Sequence, residues 1–166
     1  MPTICHELLI GVAPEKLYAA ITTPEGLAAW WTPAAEARTE QGSIARFPFG
    51  PGYYKEMKVV ELVSSKLVKW TCIKGASEWV GTTITFRLEP FDKNNLLDRH
   101  PEMEGQLQQQ RNKNTGTLLI FNHDDWKDYS PMFAECNYTW GRFLRSLKLF
   151  CEMGVGHPWP EQHGIQ

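Results

Sequence analysis

Positive charge is not in excess in this chain: seventeen Lys and Arg face nineteen Asp and Glu, a formal net charge of −2. The electrostatic footprint of a nucleic-acid binder is therefore missing. Cysteine is sparse. Cys5, Cys72, Cys136 and Cys151 form no Cys-x-x-Cys pair, which leaves zinc without its usual ligand spacing, and a chain of 166 residues needs no disulfide framework to hold a core. No apolar run reaches the roughly 20 residues that cross a bilayer, and residues 1–7 have neither a cationic start nor a long apolar stretch. Phosphate loops are absent as well, since Gly50-Pro51-Gly52 and Gly154-Val155-Gly156 do not stand between a strand and a helix start. No serine occupies a nucleophile elbow, no cysteine has an activating neighbour, and no repeat runs through the chain. The expectation is one cytoplasmic, reduced domain over residues 1–166, with no nucleic acid, membrane insertion, metal or cofactor.

Large rings are what the chain has in abundance, with seven Trp and eight Phe. They must fill a thick core, line a cavity, or both. The strongest pattern is at the end. Ser130-Pro131 is a helix start, Gly154 a helix stop, and Phe133, Cys136, Trp140, Phe143, Leu144, Leu147 and Cys151 recur between them at helical spacing. Arg142, Arg145 and Lys148 read as its solvated face. Alternating residues predict strands over 4–12, 43–49, 53–63, 67–73, 80–89 and 117–123, and two short helices follow the first strand. The fold class is α+β, a curved antiparallel sheet with helices gathered on one face. Residues 92–114 are polar and nearly free of aromatics, and nothing apolar stands out to anchor them; they read as a mobile insertion.

Taken by parity, Ala45 and Phe47, Val68 and Trp70, Ile84 and Phe86, and Leu119, Phe121 and His123 turn one face toward the last helix. Trp70, Phe86, Phe121, Phe133 and Trp140 are the candidate pocket wall, with Trp30, Trp31 and Trp79 near its end or entrance. The pattern draws His123 and Asn137 inward as well, where a polar group must find a partner. Two readings stand side by side: a histidine satisfied within the protein, and a polar anchor for an apolar ligand. Acid–base catalysis by His123-Asp124-Asp125 is the weaker reading, because neighbours on a strand point to opposite faces. No residue is assigned a catalytic role beyond the candidacy of His123.

Several phrases then carry a resemblance. Ala19-Ala20-Ile21-Thr22-Thr23-Pro24-Glu25-Gly26-Leu27 with Trp30-Trp31-Thr32-Pro33, Val68-Lys69-Trp70, Glu78-Trp79, Ile84-Thr85-Phe86, and Trp140 with Ser146-Leu147-Lys148 are together similar to the SRPBCC superfamily. The nearer match is its branch named after the activator of the heat-shock protein 90 ATPase. The resemblance implies a helix-grip fold, a sheet wrapped around a long C-terminal helix, in which members bind lipids, polyketides and other hydrophobic molecules. A small hydrophobic or aromatic ligand is thus the expected partner. The alternatives are a cyclase, dehydratase or hydrolase in the same cavity, and a cochaperone-like or homodimeric interaction module. A chaperone partner is implied only weakly. The insertion departs from the family pattern, and a cover over one cavity mouth is one role open to it.

Overall fold

Alternation of apolar and polar side chains marks most of the sheet, and the computed structural model, which describes residues 1–166, shows six strands in it. They are β1 (Ile4–Ile10), β2 (Ile44–Pro48), β3 (Tyr54–Val63), β4 (Leu67–Lys74), β5 (Thr83–Asp92) and β6 (Thr115–Asp124), in the order β1-β6-β5-β4-β3-β2. Every pairing is antiparallel. Val68 lies opposite Phe86, Phe86 opposite Phe121, and Ile84 opposite His123, so the parity sets do share one buried face. Helices α1 (Pro14–Thr22) and α2 (Pro24–Trp30) follow β1. Their tight junction requires Gly26, where a Cβ would stand 2.6 Å from the Ala20 carbonyl oxygen.

The last helix, labelled α5 (Pro131–Met153), begins and ends where its sequence says. Ser130 accepts a hydrogen bond from the Phe133 amide, and Gly154 closes the helix with φ of 84° in the left-handed region. Its apolar stripe (Trp140, Phe143, Leu144, Leu147) is buried against the sheet, completing a helix grip. The polar face is not all solvated. Lys148 is inside, 2.7 Å from Glu152, and donates to the Leu9 carbonyl. Arg142 donates to the carbonyls of His163 and Ile165, tying the C-terminal segment back onto the helix.

Two expectations change. The strand expected from residue 80 starts at Thr83, because residues 76–82 turn instead: the Trp79 amide donates to Ala76, and Gly81 takes φ of 91°. The insertion is not structureless. It folds as α3 (Lys93–Arg99), a 3-10 turn (Pro101–Met103) and α4 (Glu104–Gln108), and it does have an apolar anchor. Leu96, Met103 and Leu107 form a second buried cluster with Leu9, Phe91 and Leu118 on the outer face of the sheet. The three anchors fall in three different short elements, so no periodicity announces the cluster.

Candidate functional site

An aromatic-lined cavity of about 390 Å³ lies toward the β2–β3 side of the grip. Trp31 follows the end of α2, Trp140 and Phe143 come from α5, Phe49 and Tyr53 from the β2–β3 turn, Trp79 from the 76–82 turn, and Trp159 from the C-terminal segment. The turn after β2 and the segment after α5 are held together by packing. The Trp159 amide donates to the Trp31 carbonyl at 2.7 Å, and the Phe49 and Trp159 rings meet edge-on at 6.0 Å. No residue of the insertion lines the cavity.

One cation faces this aromatic lining. Lys55 shares the inward parity of Met57 and Val59 on β3 and is only 9% exposed. Its Nζ stands 4.1 Å from the Phe49 ring centre, 4.4 Å from that of Trp79 and 5.1 Å from that of Tyr53. It has no carboxylate partner and donates no hydrogen bond. Burial lowers its pKa from 10.5 to about 8, with the nearby Cys136 and Cys72 thiols acting weakly in the other direction. Ring faces attract a cation and offset part of its desolvation. Sequence reasoning missed Lys55, although a lysine in phase with inward Met57 and Val59 was a readable signal.

His123 is fully buried and outside the cavity lining. Trp140 Nε1 donates to its Nδ1 at 3.1 Å, so the imidazole proton is on Nε2 and is donated to Thr82 Oγ1 at 2.8 Å. Thr82 in turn donates to the Trp79 carbonyl at 2.6 Å. Both nitrogens are spoken for. Burial first, then the Lys55 charge, lowers the His123 pKa to about 3, so the ring stays neutral at physiological pH. This is the satisfied histidine, and its geometry supports neither an anchor nor an acid–base role. Asp125 takes φ of 68° just after the end of β6, where the chain turns toward α5.

The remaining candidates separate. Trp79 and Trp140 line the cavity. Trp70, Phe86 and Phe121 are in the packed core: Trp70 stacks on Trp31 at 5.9 Å, and Phe121 meets Phe86 at 5.2 Å and Trp140 at 4.6 Å. Trp30 is buried there too, donating to the Ala20 carbonyl. Phe133 packs against Trp126 and Tyr129. Asn137 is exposed, its Oδ1 3.1 Å from His6 Nε2; it falls one position outside the buried stripe and does not reach His123. No three His, Cys, Asp or Glu side chains come together as a metal site, and no helix is long and apolar enough to cross a membrane.

Comparison with known proteins places this architecture. The family model described as activator of Hsp90 ATPase homolog 1-like protein matches residues 12–152. The solution structure of the Aha1 dimer from Colwellia psychrerythraea is 32% identical, with a TM-score of 0.74, over 94% of this chain and 100% of that one. CalU16 from Micromonospora echinospora shares the fold at 17% identity and a TM-score of 0.63, over 98% of this chain and 80% of its own. DynU16, from the dynemicin biosynthetic locus, does so at 16% and 0.62, over 93% of this chain and 48% of its own. Among curated proteins nothing matches.

Proposed function

The chain belongs to the activator of Hsp90 ATPase homolog 1-like family, and from that premise we propose that it binds a small hydrophobic or aromatic ligand, lipid- or polyketide-like, in the cavity between sheet and C-terminal helix. The carrying observation is the cavity itself: about 390 Å³, walled by Trp31, Trp79, Trp140 and Trp159, beside a core that is otherwise closely packed. Apolar walls with a few polar groups are the usual make-up of a small-molecule site. The chaperone in the family description belongs to its namesake, and the cavity supports the ligand reading without it. As protein partner we propose a second copy of this chain, since the Colwellia relative is a dimer.

Filling the cavity tests the ligand reading. Thr139 lines it from α5; Thr139→Trp is expected to abolish quenching of the protein's tryptophan fluorescence by a neutral naphthalene alcohol while leaving the melting temperature within a few degrees. Undiminished affinity in a folded Thr139→Trp protein counts against the cavity as the binding site.

A further inference from the structure

The ligand reading leaves Lys55 unexplained, and the inference that follows rests on that reading. An ammonium taken out of water needs hydrogen-bond acceptors for its three protons as well as compensation for its charge. The Phe49, Tyr53 and Trp79 rings supply only the second. The one carboxylate on the cavity lining, Glu135, is exposed and engaged with Thr139 Oγ1 at 3.2 Å; it forms no ion pair with Lys55. A cavity finished for an uncharged hydrocarbon would have no use for a lysine in its wall.

We infer that the cavity selects an apolar, ring-containing carboxylate, with the carboxylate seated on Lys55 Nζ and the ring system against Trp79, Trp140 and Trp159. Such an anion accepts from Nζ in a site walled by aromatic rings, through a charge-assisted hydrogen bond that is stronger than a neutral one. The surrounding rings hold the ammonium in position beforehand, so little ordering remains to be done on binding.

The experiment compares 2-naphthoate with its neutral isostere 2-naphthylmethanol, on the parent protein and on Lys55→Met, which keeps the length and apolar stem of the side chain. Hydration alone favours the alcohol in an apolar cavity. The parent is expected to bind the carboxylate tighter by on the order of tenfold to a hundredfold. Lys55→Met is expected to lose that preference and still bind the alcohol. Equal affinities in the parent, or a carboxylate preference that survives in Lys55→Met, overturn the anion seat and leave the ligand reading standing. Binding of neither probe by the parent removes the ligand reading and the inference with it. If Lys55→Met does not fold, parent protein labelled with 13C at the lysine Cε decides: 2-naphthoate must shift the Lys55 signal more than the alcohol does, and an unmoved signal overturns the proposal.

Discussion

Replacing His123 by Ala removes the acceptor of Trp140 Nε1 and the donor to Thr82 Oγ1, both buried. Two unmet polar groups together with the space left behind are worth about 3 kcal/mol or more, so His123→Ala is expected to lower stability by that amount in urea unfolding; a loss below about 1 kcal/mol would contradict a structural role. The pH dependence has a definite sign. The imidazole titrates at about 3 in the folded protein against 6.5 in the unfolded chain, so the unfolded state takes up the proton first as pH falls. Stability present above pH 6.5 is lost between 6.5 and 3, about 3 kcal/mol of it by pH 4.5. His123→Gln should flatten that part of the pH profile, and an identical slope in the two proteins would remove His123 as its cause. The inward direction of His123 was legible from strand parity. Its partners were not, because Thr82 and Trp140 lie 41 and 17 residues away in sequence, and no local pattern links them. Lys55 was legible by the same parity, yet a charged residue within a polar-apolar alternation is easily read as solvent-facing.

At the scale of elements, α5 was readable at both ends because its punctuation is local: serine and proline at one end, glycine at the other. The insertion was not, since its anchors Leu96, Met103 and Leu107 gain meaning only beside Leu9, Phe91 and Leu118 on strand faces otherwise assigned to solvent. Its role follows from that placement. It covers the back of the sheet, away from the cavity, and Gln110 joins it to α5 by accepting a hydrogen bond from Lys148 at 3.0 Å. Leu107→Ala is expected to cost about 2–4 kcal/mol, as truncation of a buried leucine does. Affinity for a naphthalene probe should not change. A weakened probe would instead make the insertion part of the binding site.

For the molecule as a whole, the self-association proposed above predicts a mass of two chains by sedimentation velocity at micromolar concentration, and a single-chain mass throughout would reject it. The order of the strands has a consequence of a different kind. β1 stands at one edge of the sheet, and its only strand neighbour is β6, with Ile4 opposite His123 and Ile10 opposite Thr117. On a ribosome adding roughly 5–20 residues per second, the first strand is made on the order of ten seconds before the strand it must pair with. The hairpins from β2 to β5 join neighbours in sequence and need no such wait. During that interval Leu8, Leu9 and Ile10 have no sheet to lie on, and the chain emerging from the exit tunnel carries β1 as an unpaired apolar strand. Synthesis of this protein therefore passes through a period in which the β1 segment, Ile4–Ile10, needs shelter from other nascent chains.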